Sequence, residues 1–182
     1  PRGPPVGSQR SYNQPMKRRR RVIWSVAALV IGAVLAVGLT RGGPVQAPPI
    51  ALDGDRPLPK VVGPDLVSGA PIDLTSYRGK PLIINLWASW CIPCRDEAPH
   101  FVRLAREHPE VALVGIDINN ARADATAFNS EAGWTHPSIY DPDGSIGLDT
   151  LGVANLPTTI YVDAAGVMRG RTNGPITYED LE

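Results

Sequence analysis

The sequence predicts an α/β fold for residues 59–182, with a central mixed sheet that is flanked by helices. Two observations lead to this fold class. Apolar runs of strand length alternate along the chain with stretches of helical spacing. Short strand pairs joined by glycine-containing turns add antiparallel edges, so the sheet is expected to be mixed. A segment of this length can bury the core of one domain.

The predicted elements follow one another in a simple order. A β-hairpin extension comes first, with two short strands around a Ser68–Gly69 turn within residues 65–74. The elements after it are a central strand at 81–87, a helix at 95–107, a strand at 111–117, a helix at 122–132, a strand at 155–163 and its hairpin partner at 167–172. Thr177, with Asp180 three residues later, is typical of a helix N-terminus. We therefore expect a C-terminal helix that is truncated in this sequence.

The N-terminal part of the chain has a composition unlike that of the predicted domain. Residues 1–52 contain eight Arg or Lys and no acid, whereas the rest of the chain contains ten basic and eighteen acidic side chains. Residues 22–39 carry no charge and, as a helix, would extend about 27 Å, close to the thickness of a bilayer's hydrocarbon core. The sequence thus predicts a basic cytoplasmic tail at 1–21, a single transmembrane helix at 22–39 and a Pro/Gly-rich linker at 40–58.

This charge asymmetry also predicts topology and localisation. Because the basic flank of the apolar segment stays in the cytoplasm, the domain is expected on the extracytoplasmic side of the cell membrane, where disulfides persist. The alternative is a secreted protein that is released by signal cleavage, since Val45-Gln46-Ala47 resembles a cleavage site. The basic tail lacks interleaved aromatic residues and a folded scaffold, so we predict no nucleic-acid partner.

Cys91 and Cys94 are the only two cysteines of the chain and form a C-x-x-C motif. They lie where the first central strand is predicted to turn into a helix, and the free N–H groups at a helix N-terminus favour a thiolate over a thiol. Thiol–disulfide exchange needs an accessible nucleophilic thiolate and a second thiol that resolves the mixed disulfide. We therefore assign Cys91 as the nucleophile and Cys94 as the resolving thiol. Pro93 is expected to stiffen the loop, and Trp90 to cover the site with apolar surface.

Other roles for the two cysteines are less well supported by the sequence. A zinc site needs about four ligands, and the chain's histidines lack zinc-finger spacing relative to the cysteines. These histidines are His100, His108 and His136. Covalent haem attachment requires a histidine directly after the second cysteine, where this chain has Arg95. A purely structural disulfide would close too small a loop to add much stability. We expect no metal and no cofactor other than a redox-active disulfide, Cys91–Cys94.

The segment WASWCIPCRDEAP at residues 87–99 resembles the active-site segment of the thioredoxin superfamily. More narrowly, it is similar to membrane-anchored thiol–disulfide oxidoreductases of the TlpA/ResA type, which include the cytochrome c maturation thioredoxins. The similarity continues in GVANLPTT at residues 152–159. The resemblance implies a thioredoxin-like fold. It also implies that Pro157 follows a cis peptide bond and faces Cys91, and that the backbone of Leu156 pairs with substrate.

Several positions near the motif depart from the family pattern or are expected to tune the cysteines. Asn85 stands where thioredoxins bury an acid that accepts the proton of the resolving thiol, so another group or water must take that proton here. Ile92 and Pro93 separate the cysteines, and Ile92 is apolar where some relatives have an acid. Glu97 resembles a frequent family residue near the site, although a solvated acid favoured by the helix dipole explains it equally well. Asp117 either lies near the site or only terminates its strand.

The sequence therefore predicts an extracytoplasmic thiol–disulfide oxidoreductase. The resemblance implies that it reduces disulfides of exported proteins, with apocytochrome c as one candidate substrate, and that a membrane thiol carrier supplies the electrons. An oxidase that donates its disulfide to exported proteins is the first alternative, because direction depends on the reduction potential. A noncatalytic binding module is the second alternative. The expected partners are substrate proteins with disulfides or thiols, the thiol carrier, and the membrane through residues 22–39.

Overall fold

The computed structural model describes residues 55–181. The predicted tail at 1–21, the predicted anchor at 22–39 and nearly all of the predicted linker lie outside the described residues. Within residues 55–181, no helix is both long enough and apolar enough to cross a membrane. Each strand and helix that the sequence predicts between residues 81 and 172 has a counterpart in the structure.

The described part of the chain forms eight β-strands and two α-helices. The strands are β1 (Arg56–Pro57), β2 (Val62–Pro64), β3 (Pro71–Asp73), β4 (Leu82–Trp87), β5 (Ala112–Ile118), β6 (Ser138–Asp141), β7 (Thr158–Val162) and β8 (Val167–Asn173). The helices are α1 (Ile92–Glu107) and α2 (Arg122–Glu131). A short 3-10 turn at Leu74–Tyr77 and a π-helical segment at Ser145–Thr150 join strands. The sequence did not predict β6, which has only four residues and polar ends.

Six of the strands within residues 55–181 form one sheet, in the spatial order β1-β8-β7-β4-β5-β6. β5 is parallel to β4 and β6 is parallel to β5, whereas β7 is antiparallel to both β4 and β8. The two parallel connections run through α1 and α2, and both helices bury their apolar side chains on the same face of the sheet. The predicted α/β fold with a mixed sheet is therefore confirmed.

The central strand β4 buries a different cluster on each face. All six of its residues are buried, as expected for a strand that is covered on both sides. One cluster consists mainly of aliphatic side chains and includes Leu82, Ile84, Leu86, Val114, Ile116 and Ile160. On the helix face, the Trp87 ring packs against Phe128 and Trp134, with ring centroids 5.2 and 4.9 Å apart. The end of β4, which leads into the cysteine motif, is thus held from both faces.

The hairpin extension is confirmed, but the prediction that its first strand begins at Asp65 is wrong. The strands that pair are β2 and β3, and β2 ends at Pro64. The Asp65 carboxylate accepts hydrogen bonds from the N–H groups of Val67 and Ser68, at 3.2 and 2.7 Å. This side-chain turn takes the chain out of the extended conformation one residue after β2. Gly69 completes the predicted turn with a φ of +73°.

The two ends of the described residues form an edge strand and a turn. Residues 56 and 57, which fall within the predicted linker, pair with β8 and add an edge strand to the sheet. At the other end, the N–H and the hydroxyl of Thr177 donate to the Asp180 carboxylate, at 2.7 and 2.8 Å. The bond from the Thr177 N–H to the acid three residues later is one half of the capping box that the sequence predicts. Residues 178–181 form a turn.

Candidate active site

The cysteine motif lies at the junction of β4 and α1. Cys91 is the N-cap residue of α1 and has an extended backbone, with φ −81° and ψ 104°. A disulfide joins Cys91 to Cys94, and the two Cα atoms are 5.3 Å apart. Cys91 is 5% exposed, whereas Cys94 is fully buried. An incoming thiol or disulfide therefore reaches Cys91 before Cys94.

The N-terminus of α1 is directed at the Cys91 sulfur. The N–H of Cys94 donates to Cys91 Sγ at 3.3 Å. Pro93, at the start of the helix, has no N–H, so Cys94 supplies this donor. After reduction, the same N–H and the helix dipole stabilise negative charge on the Cys91 sulfur. Each unit by which they lower the thiol pKa corresponds to about 1.4 kcal/mol in favour of the thiolate.

Exposed apolar side chains surround the more accessible cysteine. Trp90 is 60% exposed and Ile92 is 73% exposed, although both are large hydrophobic residues. The Trp90 indole Nε1 donates to the carbonyl of Asn119 at 3.1 Å, which fixes the orientation of the ring. Pro93 is also exposed. The surface next to Cys91 therefore suits apolar parts of a bound polypeptide rather than a charged ligand.

The peptide bond between Leu156 and Pro157 is cis, as the family resemblance implied. Leu156 packs against the cluster that contains both cysteines. It also lines a groove of about 180 Å³, here called the Trp90 groove, together with Trp90. The other residues of this groove are Ile118, Asn119, Leu148, Val153, Ala154 and Asn155. The structure thus brings Trp90 and Leu156, 66 positions apart in the numbering, into one surface beside the motif.

Glu97 is buried, so its interpretation as a solvated first-turn acid is wrong. Only 1% of its surface is exposed. Its Oε1 accepts a hydrogen bond from Asn85 Nδ2 at 2.9 Å, and its Oε2 accepts one from the N–H of Ile176 at 3.2 Å. Glu97 follows Cys94 by three residues, which puts both side chains on the same face of α1. An ionisable group therefore lies three residues after Cys94, on the helix rather than on β4.

Burial changes the protonation of this carboxyl strongly. It raises the pKa of Glu97 to about 8, and the hydrogen bonds from Asn85 and Ile176 oppose this rise only partly. The sequence contains a signal for this burial. Glu97 falls on the stripe of α1 that faces the sheet, with Cys94, Ala98, Phe101 and Leu104. Asn85 is itself fully buried and acts as a donor to the acid rather than as its replacement.

A second buried acid lies close to the motif. Asp117 is fully buried near the end of β5, opposite Trp87 of β4. It is linked through Asn120 to Ser89, two residues before Cys91. Asp117 therefore lies near the site and does more than terminate its strand. The sequence left two possible roles open for Asp117. No pattern in the sequence indicated that Asn120 or Ser89 would lie at the site.

The histidines have other partners than the cysteines. The His108 ring contacts Glu110 and Tyr178, at 3.1 and 3.2 Å. The His136 ring packs against Trp134, with centroids 4.9 Å apart. In the part of the chain that the structure describes, no group of three or more His, Cys, Asp or Glu side chains could hold a metal ion. The geometry of the motif is that of a disulfide and not of a metal half-site.

Comparison with known proteins agrees with this geometry. A model of the AhpC/TSA family matches residues 55–171. The thiol:disulfide interchange protein DsbE of Allochromatium vinosum is 37% identical over 67% of this chain and 67% of its own length. The thiol-disulfide oxidoreductase ResA of Geobacillus thermodenitrificans is 28% identical over 92% of this chain and 95% of its own length.

A solved structure shows the same fold. The crystal structure of a DsbF homologue from Corynebacterium diphtheriae superposes with a TM-score of 0.67 at 27% identity, and the match covers 76% of this chain and 92% of that one. The family match, the named relatives and the C-x-x-C disulfide at a helix N-terminus point to the same chemistry. The chain therefore belongs to the AhpC/TSA family and is a thiol–disulfide oxidoreductase with a thioredoxin-like fold.

Proposed function

We propose that this enzyme reduces disulfides of exported proteins on the extracytoplasmic side of the membrane, with Cys91 as the nucleophile and Cys94 as the resolving thiol. One observation carries the assignment of roles. Cys91 is the more exposed cysteine and accepts the N–H at the start of α1, whereas Cys94 is buried one turn from the Glu97 carboxyl. The relatives named DsbE and ResA support the reductive direction, through the resemblance to cytochrome c maturation thioredoxins.

The proposed reaction transfers two electrons from the protein to its substrate. The Cys91 thiolate attacks one sulfur of a substrate disulfide, an S–S bond to Cys91 forms, and one substrate thiolate leaves. The Cys94 thiolate then attacks Cys91 Sγ. The Cys91–Cys94 bond forms, the mixed disulfide breaks and the second substrate thiolate leaves. The protein ends as a disulfide and the substrate as a dithiol, and a membrane thiol carrier returns two electrons to the protein for the next cycle.

Glu97 is proposed as the group that accepts the Cys94 proton before resolution. Its pKa of about 8 lies close to that of an ordinary thiol, which is about 8.5, so the transfer between them costs little free energy. At pH 7 a minor fraction of the Glu97 carboxyl is therefore ionised, and this fraction can accept the Cys94 proton. In the reverse direction, when the carrier reduces the enzyme, protonated Glu97 returns the proton to the leaving Cys94 thiolate.

The Trp90 groove is proposed to hold the polypeptide that carries the disulfide. Trp90 and Leu148 present exposed apolar surface there, with Leu148 44% exposed. The backbone of Leu156 would pair with an extended substrate segment, and Pro157 would lie against its reacting sulfur. An unfolded exported protein such as apocytochrome c offers both an accessible backbone and apolar side chains near its cysteines. A folded protein with a protected disulfide does not.

The location of the enzyme is proposed from the uncharged segment at 22–39 and the basic tail before it. We expect the full chain to remain with the membrane after washing with high salt or alkaline carbonate. We also expect a bulky, membrane-impermeant maleimide to label its reduced cysteines in intact cells. Release into the medium would support the secreted alternative, and labelling only after cell lysis would contradict the extracytoplasmic location.

The proposed roles of the cysteines are tested by trapping mixed disulfides. The Cys94→Ser variant keeps the nucleophile but cannot resolve, so it should accumulate covalent adducts with exported proteins that a reductant releases. The matched Cys91→Ser variant, which keeps only the buried thiol, should accumulate none. Adducts that form equally in both variants would overturn the assignment of Cys91. No adduct in either variant, with unchanged cellular function of the Cys91→Ser/Cys94→Ser protein, would favour a noncatalytic binding module.

A further inference from the structure

Thiol–disulfide exchange does not itself require an acid at the position of Asp117. It lies on the helix face of β5, in register with Trp87, and is fully buried. Its Oδ1 accepts a hydrogen bond from Asn120 Nδ2 at 2.8 Å. Its Oδ2 has no hydrogen-bond partner among residues 55–181. A buried carboxyl that accepts a single hydrogen bond is costly to keep.

The hydrogen bond to Asn120 continues toward the cysteine motif. The Ser89 hydroxyl donates to Asn120 Oδ1 at 2.9 Å, so the Asn120 amide bridges the acid and the serine. The two partners fix the amide orientation, because a carboxylate only accepts and the serine here acts as the donor. Asn120 is itself buried, with 8% of its surface exposed. Asp117, Asn120 and Ser89 thus form one continuous chain, here called the Asp117 chain.

The turn that carries Asn120 is held in place independently. Asn119 has a left-handed backbone with φ +50°, and its N–H donates to the carbonyl of Asp141 at 3.1 Å. The Tyr140 hydroxyl donates to the carbonyl of Asn120 at 3.1 Å. Asparagine tolerates this backbone better than most residues, and the two hydrogen bonds hold the turn in it. The turn is therefore a fixed support from which the Asp117 chain reaches the loop before Cys91.

Ser89 is the point at which the Asp117 chain meets the active-site loop. Its hydroxyl bonds to Asn120, while its carbonyl accepts a hydrogen bond from Arg95 Nε at 3.1 Å. Arg95 belongs to the first turn of α1, and the N–H of Cys91 bonds to the carbonyl of Ala88 at 3.1 Å. A change in the position of Ser89 is therefore passed to the residues on both sides of Cys91.

We propose that Asp117 is a positioning residue for thiol–disulfide exchange, which acts through Asn120 and Ser89 to hold the loop that presents Cys91. This inference rests on the proposed function, since it requires Cys91 to be the attacking sulfur. Asp117 does not touch the substrate or the cysteines in this scheme. Its effect is on the geometry with which the Cys91 sulfur meets an incoming disulfide, to which exchange rates are sensitive.

The strength of the Asp117 chain depends on the charge of its acid. Burial raises the pKa of Asp117 to about 6, and the nearby Asp141 carboxyl on β6 adds to the rise. Arg122 of α2 and the hydrogen bond from Asn120 oppose it. An ionised carboxylate accepts the Asn120 hydrogen bond more strongly than a protonated one. The loop is therefore held more firmly above the pKa of Asp117 than below it.

A double-mutant cycle tests whether Asp117 acts through Ser89. The readout is the rate constant for the reaction of the reduced protein with oxidised glutathione at pH 7, corrected for the Cys91 thiolate fraction. Asp117→Ala and Ser89→Ala should each lower this constant about fivefold, the effect of losing one hydrogen bond. In the Ser89→Ala background, Asp117→Ala should change it less than about twofold, because the connection is already broken. Ser89→Thr, which keeps the hydroxyl, should retain the wild-type constant.

The matched control is Asp73→Ala, since the Asp73 carboxylate also accepts hydrogen bonds but lies at the hairpin extension. Its effect should be the same with and without Ser89→Ala. If the effects of Asp117→Ala and Ser89→Ala simply multiply, the positioning role is wrong. A Cys91→Ser protein that reacts as fast as the wild type would overturn the proposed function itself. The rate of this variant tests the role of Cys91, whereas the mutant cycle tests only the role of Asp117.

The pH profile provides a second, independent readout. The corrected rate constant of the wild type should rise about threefold through the pKa of Asp117 as its carboxyl ionises. The isosteric Asp117→Asn variant keeps the acceptor oxygen but cannot ionise, so its corrected constant should not change over that range. An unchanged rise in this variant would contradict the role of Asp117, whatever the stability of the protein.

Discussion

Asn85 Nδ2 donates to Glu97 Oε1 across 2.9 Å, in a fully buried contact that ties β4 to α1 one helical turn beyond Cys94. Asn85 stands where thioredoxins carry a buried acid, and here it holds an acid that comes from the helix. The acid lies on α1, three residues after Cys94, rather than on β4. Glu97 can therefore take the place of the acid that is missing from the Asn85 position of β4.

Replacing Glu97 with glutamine should slow the resolution step. Glu97→Gln keeps the shape and the contact with Asn85 but cannot accept the Cys94 proton, so we expect resolution of a preformed mixed disulfide to be about 100-fold slower. The initial attack by Cys91 should change little. Stopped-flow release of a chromophoric thiol measures both steps. The control is Glu110→Gln, an exposed acid beyond the end of α1. Equal slowing of both steps would argue against the proton-transfer role.

Glu97 should also make the stability of the oxidised protein depend on pH. Because burial raises its pKa from 4.5 to about 8, the folded state keeps this proton at pH values where the unfolded state has lost it. The free energy of unfolding should therefore decrease as the pH rises from 4.5 to about 8, by up to about 1.4 kcal/mol per pH unit. Above the folded-state pKa this contribution of the protonated acid is lost.

Urea unfolding of the wild type and of Glu97→Gln between about pH 6.5 and 8 measures this effect as the difference between the two proteins, because buried Asp117 and His136, with pKa values of about 6 and about 4, contribute to both. In Glu97→Gln the decrease over the same range should be much smaller. The Glu110→Gln variant should follow the wild type. If the free energies of unfolding of the wild type and of Glu97→Gln change equally with pH over this range, Glu97 is not kept protonated by burial.

Substitution in the Trp90 groove should affect polypeptide substrates selectively. Leu148→Ser removes exposed apolar surface from the groove without touching the cysteines, so we expect KM for a disulfide peptide with apolar flanks to rise about fivefold. The rate with oxidised glutathione, which is too small to fill the groove, should not change. Val67→Ser, at an exposed apolar residue of the hairpin turn, is the matched control and should leave both rates unchanged. An equal effect on both substrates would show that Leu148 acts through the geometry of the active-site loop and not through binding of the polypeptide.

The regular part of the fold follows from local pattern. β4 and β5 are continuous apolar runs and α1 has a clear apolar stripe, so their positions were predictable to within a few residues. The start of the hairpin was not, because the Asp65 side chain bonds to the N–H groups that follow it and ends the strand early. Such a side-chain turn competes with strand pairing and leaves no periodic signal.

The site was predictable only where its residues are close in sequence. The cysteine motif and the cis Leu156–Pro157 bond followed from two short segments and their resemblance to a family. The hydrogen bonds to Glu97 come from Asn85 and from the backbone of Ile176, which lie 12 and 79 residues away. The Asp117 chain likewise joins residues from three separate parts of the chain. Only the tertiary structure brings these groups together.

The reduction potential of the Cys91–Cys94 pair decides whether the enzyme reduces or oxidises its substrates. Equilibration of the purified protein with glutathione buffers, with the thiol fraction read by alkylation, gives the value. For the proposed reductase we expect a potential of about −270 mV or lower, at which the dithiol donates electrons to most protein disulfides. A potential of about −120 mV, that of a strong disulfide donor, would contradict it and identify the enzyme as an oxidase.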